Sequence, residues 1–182
     1  MHFAPDVEET LEFAATLLNT APAASRSGSD ELGSVHELHR LLDANRYGGT
    51  RDRTERERAL VVETRDHLRQ LWTRQRDDLA DGINAILRQS DALPQLVRHD
   101  EFDWHIHAIP LDAPLADRIR VEVALALVDI IRAGATDRLR VCDAHDCTGV
   151  LVDLSRNGSK RFCSVRCGNR MNMIAYRERQ AG

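Results

Sequence analysis

The chain has 182 residues and a mass of 20.5 kDa, with 42% hydrophobic and 30% charged residues; this composition excludes disorder and suits one ordinary domain plus a small appendage, without disulfide staples. Mean hydropathy is -0.42 and no apolar run approaches the roughly 20 residues that cross a bilayer, so no membrane partner is expected; the acidic N-terminus (Asp6, Glu8, Glu9, Glu12) is unlike a signal peptide, and the expected location is cytoplasmic. A net charge of -4, taken whole, argues against a nucleic-acid partner.

In chain order, residues 7–18 put Leu11, Ala14, Ala15 and Leu18 at helical spacing, with acids in the first turn where the helix dipole favours them. Small and turn-forming residues from Pro22 to Ser29 read as a loop, and residues 30–44 as a second helix through Leu38, Leu41 and Leu42. Gly48-Gly49 breaks that pattern. From Thr54 to Arg76 an apolar stripe of Leu60, Val61, Thr64, Leu68, Leu71 and Trp72 predicts a long amphipathic helix, followed by a shorter one over residues 78–88. After Pro94 the period changes: residues 96–98 and 104–109 alternate around a polar centre, His99 to Asp103, which predicts a hairpin. Asp112 and Pro114 open the most apolar helix, Leu115 to Arg132, closed by Gly134 and expected to be the core element.

The charge is unevenly spread. Residues 1–138 hold 17 Arg against 25 Asp and Glu, a balance of -8, whereas residues 139–182 hold eight Arg and Lys against four acids, a balance of +4. All four cysteines lie in that second stretch. Such concentration of positive charge points back toward nucleic acid.

The cysteines read Cys142-x4-Cys147, fifteen residues, then Cys163-x3-Cys167. Two close pairs at this separation match a structural four-thiolate zinc site, in which each tight turn supplies two ligands at about 2.3 Å and the intervening chain folds back. Val150 to Val152 is strand-like, Ser155-Arg156-Asn157-Gly158 has the Asn-Gly of a hairpin turn, Lys160-Arg161-Phe162 is expected to return as the second strand to Cys163, and Ser164 is placed to cap a helix over residues 165–179. This is a treble-clef arrangement. Disulfides are disfavoured in a reducing compartment, nothing else in the sequence points to an iron–sulfur cluster, and His145 is an alternative ligand that four thiolates leave unneeded. Because a closed four-thiolate site has no open position, Zn2+ here would fold the module and not catalyse.

On the final helix, at about 100° per residue, Arg166, Arg170, Met173 and Arg177 share one sector beside Asn169 and Tyr176, and Cys167, Met171, Ile174 and Ala175 take the opposite side. With Arg156, Lys160 and Arg161 of the adjoining turn, these side chains are candidates for phosphate contacts, Arg and Asn also being able to read base edges. The thiolates and one divalent ion together carry -2, which takes back part of the module's positive charge.

Cys163-Ser164-Val165-Arg166-Cys167-Gly168-Asn169-Arg170 resembles the bacterial CGNR zinc-finger family, as do residues 152–158, 160–164 and 175–179; Leu17-Leu18-Asn19-Thr20 is similar to a motif near the start of the ABATE domain that precedes this finger. The resemblance implies a transcription regulator with a DNA-binding finger and an N-terminal domain sensing stress or a ligand. The Cys163-x3-Cys167 spacing is one residue shorter than in many members, a change worth about 100° of rotation on the helix.

The expected fold is thus mainly α (α+β): a helical domain over residues 1–135 with a short β-hairpin, then a small treble-clef-like finger over 139–182. Expected partners are DNA, a second copy of the chain and a small-molecule effector. A competing reading makes the chain a ligand-binding or protein-interaction module whose finger is only structural. A third, an enzyme, rests on the run His99 to His107, where His105 and His107 would share a strand face and could hold a second metal, but no nucleophile motif or phosphate loop accompanies it.

Overall fold

The structure is a computed structural model that describes residues 3–25, 27–98 and 103–181. Among the described residues are six α-helices, one short 3-10 turn and two small antiparallel hairpins, a mainly α architecture with short β elements. Helix α1 (Pro5–Leu18) starts two residues earlier than the apolar spacing indicates, because Pro5 is preset for the first helical position. Helix α2 (Val35–Ala44) starts five residues later than expected. Ser34 caps it, accepting from the Glu37 backbone N–H at 3.2 Å while its hydroxyl donates to the Glu37 carboxylate, and Asp30 instead closes a turn at the Leu32 N–H.

Helix α3 (Glu55–Trp72) is capped by Thr54, and α4 (Arg76–Gln89) follows. The buried stripe of α3 is Val61, Thr64, Leu68, Leu71 and Trp72 together with Arg65, and Leu60, counted with the stripe from sequence, faces outward at 41% exposure. Arg65 earns its buried place through Asp30, whose two carboxylate oxygens accept from Nη1 and Nη2 at 2.7 and 2.9 Å. Strands β1 (Gln95–Val97) and β2 (His105–His107) form the expected hairpin, with Leu96 opposite Ile106; its apex, residues 99–102, lies outside the described residues.

Helix α5 (Leu115–Arg132) runs through the centre, packing against α1, α3 and α4 with Ile119, Val123, Leu127 and Ile130 buried. Its Arg118, 1% exposed, donates to the carbonyls of Ala113, Gly48 and Thr50. This explains the second glycine of the pair: Gly49 has φ +81°, and a Cβ there would run into Arg118 Nη1 and the Leu111 carbonyl.

Strands β3 (Leu139–Val141) and β4 (Val150–Val152) form the second hairpin, and α6 (Val165–Ala181) ends the chain. Here the structure differs from the sequence reading. β4 pairs with β3 across the first cysteine pair, Leu139 opposite Val152 and Val141 opposite Val150, and residues 160–162 form no strand. The cause is Asp153, whose carboxylate takes the Ser155 and Lys160 backbone N–H groups and the Ser155 hydroxyl, turning the chain by side-chain bonds where a ladder was expected. Val150 and Val152 belong to the same apolar cluster as the helices. No described helix is long and apolar enough to cross a membrane.

Candidate metal centre and nucleic-acid interface

The first cysteine pair is held by the β3–β4 connection. The Cys142 N–H donates to the Gly149 carbonyl at 2.7 Å and the Cys147 N–H to the Ala144 carbonyl at 2.9 Å, so a tight knuckle presents both sulfurs to one side. The second pair straddles the start of α6, where the Ser164 hydroxyl accepts from the Cys167 N–H at 3.2 Å and caps the helix as expected. The link between the pairs is the Asp143 N–H bonded to the Arg161 carbonyl at 2.9 Å.

These turns bring Cys142, Cys147, Cys163 and Cys167 together, with all four sulfurs within 4.8 Å of one another. Cys147 Sγ to Cys163 Sγ is 3.7 Å and Cys163 Sγ to Cys167 Sγ is 3.8 Å. Four thiolates tetrahedrally disposed at about 2.3 Å from an ion stand about 3.8 Å apart, so the spacing is that of a metal-thiolate site, and the short Cys163-x3-Cys167 interval does not prevent it. Among the described residues this is the one group of three or more His, Cys, Asp or Glu side chains close enough to hold an ion.

The electrostatics call for a cation. Burial and the neighbouring sulfurs push the Cys163 thiol up, and burial does the same to Cys147. For Cys167 burial acts in the same sense, but hydrogen bonding with Ser164 and the adjacent sulfurs outweighs it and lowers the thiol. A divalent ion at the centre would offset the thiolate repulsion. Backbone N–H groups already serve the sulfurs: Gly149 donates to Cys147 Sγ at 3.3 Å and Cys163 to Cys142 Sγ at 3.4 Å.

Several contributors escaped the sequence reading. Gly149 is required by space, since a Cβ there would meet Cys163 Sγ at 2.7 Å and Cys147 Sγ at 3.2 Å; its place two residues after a ligand was the available signal. Asp153, with its side chain fully buried, also faces Arg140 Nη1 at 3.2 Å. Burial works to raise its carboxyl, but the Ser155 and Lys160 hydrogen bonds and the Arg140 charge hold it below the usual carboxylate range. Asn19, singled out from sequence only within the Leu17–Thr20 motif, pairs its amide with both backbone groups of Val150, donating to the carbonyl at 2.8 Å and accepting from the N–H at 2.7 Å. Nothing local in the sequence signals a contact across 131 positions.

The candidate nucleic-acid residues are divided by the structure. Arg166, Asn169 and Arg177 are exposed on α6, while Cys167 is buried and Met171, Ile174 and Ala175 are half-buried on its other side, which matches the helical-wheel reading. Arg156 and Lys160 are exposed in the segment that precedes α6, where Lys160 Nζ donates to the Val152 carbonyl at 3.3 Å. Arg161 bonds Asp143 at 2.7 Å and covers the Phe162 ring, and Arg170 turns toward the knuckle, its Nη2 2.6 Å from Asp146 and 3.8 Å from Cys167 Sγ. His105 and His107 do share a strand face, with their Nε2 atoms 3.0 Å apart.

A family model described as CGNR zinc finger matches residues 138–180, and one described as "Putative stress-induced transcription regulator" (ABATE) matches residues 11–134. Among curated proteins, none matches the chain.

Proposed function

This chain belongs to the ABATE family, and from that premise we propose that it is a transcription regulator that binds DNA through a zinc-organised C-terminal finger. The observation that carries this reading is the four-sulfur cluster beneath α6, a helix whose far side presents Arg166, Asn169 and Arg177 to solvent. Zn2+ held by Cys142, Cys147, Cys163 and Cys167 would fix α6 against the knuckle as a structural ion. Arg166, Asn169 and Arg177 then meet the duplex, flanked by Arg156, Lys160 and Arg161, while Arg170 holds Asp146 or exchanges it for a phosphate. In this reading residues 139–182 are the DNA-binding unit and residues 1–135 the sensing and dimerising unit, working in the cytoplasm where thiols stay reduced. One small finger reaches few phosphates, so specific binding in the usual range, about 10⁻⁸ M or tighter, calls for a homodimer. The role is binding, not catalysis.

The test is the salt dependence of full-chain binding to genomic DNA fragments, followed by fluorescence anisotropy. Replacing Arg166 and Arg177 together by Glu is expected to weaken binding across all sequences and to lower the salt slope by about 2. No binding by the unaltered chain, or binding unchanged in the variant, contradicts the proposal. Val165, Met173 and Tyr176, exposed apolar residues of α6 at 80, 51 and 52%, favour the competing reading of a protein-docking finger. A homodimer without DNA affinity would support that one.

A further inference from the structure

Away from the metal centre, a cleft of about 460 Å³ opens between the first half of α1, residues 45–49, β2 and α5. Its size lies within the range of roughly 300–1,000 Å³ typical of small-molecule sites. The walls are apolar: Val7 and Phe13 of α1 on one side, Leu96, Trp104 and Ile106 of the β1–β2 hairpin on the other. The three hairpin side chains are 65, 63 and 52% exposed, with only the Arg98 guanidinium, 5.9 Å from the centroid, set over the Trp104 ring among the described contacts, which is much large apolar surface to leave in water.

The floor is polar and ordered. The Tyr47 hydroxyl donates to Glu122 Oε2 at 2.6 Å, and its ring stacks on Phe13 with centroids 4.7 Å apart and beneath the Arg118 guanidinium at 5.6 Å. Burial, reinforced by Glu122, raises the Tyr47 phenol well above its ordinary value, so it stays a donor. His105 Nδ1 lies 2.8 Å from the Asp103 carbonyl, which assigns that nitrogen as the donor and leaves His105 Nε2 to accept from His107 Nε2 at 3.0 Å. His107 Nδ1 then faces Glu122 Oε1 across 3.9 Å, both side chains about one-fifth exposed to the cleft.

We propose that this cleft is an effector site for a small amphipathic amine, its flat apolar body lying against Trp104 and its protonated nitrogen donating to Glu122 Oε1 beside His107. A carboxylate accepts up to about four hydrogen bonds, so Glu122 can take a ligand donor beside the partners it already has, Tyr47 among them. A carboxylate or phosphate on the ligand would instead meet Glu122 with like charge. The lining carries Asp6, Glu9, Glu122 and Asp129 against Arg46, Arg118 and Arg132, and Arg118 is engaged with backbone carbonyls. Arg132 faces Asp129 at 3.5 Å, so acids outnumber cations in the lining and the two buried or paired guanidiniums already have partners. The inference rests on the regulator reading for the word effector, not for binding itself. Helix α1 forms one wall of the cleft and ends next to Asn19, which holds β4, so an occupied cleft and the finger share one rigid element.

The test uses the zinc-loaded full chain and three probes of matched shape: 2-phenylethylamine, 2-phenylethanol and 3-phenylpropionate, titrated by calorimetry at neutral pH. The amine is expected to bind saturably at one site per chain and about tenfold tighter than the alcohol, as one charge-assisted hydrogen bond implies, with the acid weakest. Glu122→Gln is expected to bring the amine to the alcohol's affinity, and Trp104→Ala, at an exposed position, to weaken amine and alcohol alike. Binding of the alcohol or the acid as tight as the amine, amine affinity unchanged in Glu122→Gln, or no saturable binding by any probe overturns the proposal. The order of the three probes on the unaltered chain decides the matter even if Glu122→Gln fails to fold. Absent probe binding with intact DNA binding removes this inference alone, and probe binding without DNA binding removes the regulator reading alone.

Discussion

At Gly149 the absence of a side chain makes room for two of the four clustered sulfurs. Its Cα faces two sulfurs so closely that a methyl group would lie 2.7 Å from Cys163 Sγ, well inside contact distance. Gly149→Ala is expected to push the second cysteine pair off the first and weaken metal affinity about ten- to hundredfold, the scale of other changes next to a metal's ligands; competition with a chromophoric chelator measures it. Asp153 acts on the same centre through the turn that leads to Cys163. Its folded carboxyl titrates below the ordinary range, so it stabilises the fold at all pH above the unfolded value of about 3.9, and that contribution is lost as pH falls toward the lower folded value. Asp153→Asn should therefore cost about 1–3 kcal/mol at neutral pH, with the gap to the unaltered chain narrowing below pH about 4. Urea melts across pH read that difference, in which the metal's own pH dependence cancels. A gap that stays constant in acid would refute the assigned role. At this scale the clustering of the four cysteines was legible because their spacing in two close pairs encodes it directly. Gly149 and Asp153 were not, because their roles depend on where neighbouring atoms stand.

Between elements, the contact of α1 with β4 shows what local pattern can and cannot reveal. The helices follow from 3.6-residue periodicity, and α5 emerged from sequence with its observed bounds because its apolar run is long and sharply punctuated by Pro114 and Gly134. The start of α2 was misplaced because Asp30 and Ser34 are both able caps, and only Ser34 is followed by a partner at the third position, Glu37. Strand pairing was the hardest: the segment 160–162 looks like a returning strand, yet Asp153 takes the Lys160 N–H, the Asp143 N–H donates to the Arg161 carbonyl, and β4 finds its ladder with β3. Asn19 extends that ladder, acting as one more residue beside Val150. Asn19→Ala removes both bonds and takes their partner from the N–H and carbonyl of Val150 in buried β4. The expected loss is about 1–3 kcal/mol, with hydrogen exchange at Val150 speeding up while the α4 amides, far from the contact, lose protection only through the global change. Unchanged exchange at Val150 would show that the pairing contributes nothing.

For the whole molecule, the charge of -4 is the sum of an acidic helical body and a basic finger, and the structure joins the two through shared packing. Trp72 of α3 donates its indole N–H to the Leu151 carbonyl, Arg69 bonds Thr148, and Val150 and Val152 enter the helical core. The finger is thus mounted on the body, which makes metal binding at one end a matter for the orientation of α6 as a whole. Composition and cysteine spacing were enough to expect two functions in one chain. The mounting was invisible to them, since β4 reads as an ordinary apolar strand whatever it packs against. The central claim, that the gathered thiolates hold zinc and so present α6 to DNA, is tested most directly by measuring the DNA affinity of the full chain while zinc is titrated into chelator-stripped protein. The account predicts that affinity rises with added zinc and saturates at one ion per chain; affinity indifferent to zinc, or absent at every zinc level, would contradict it.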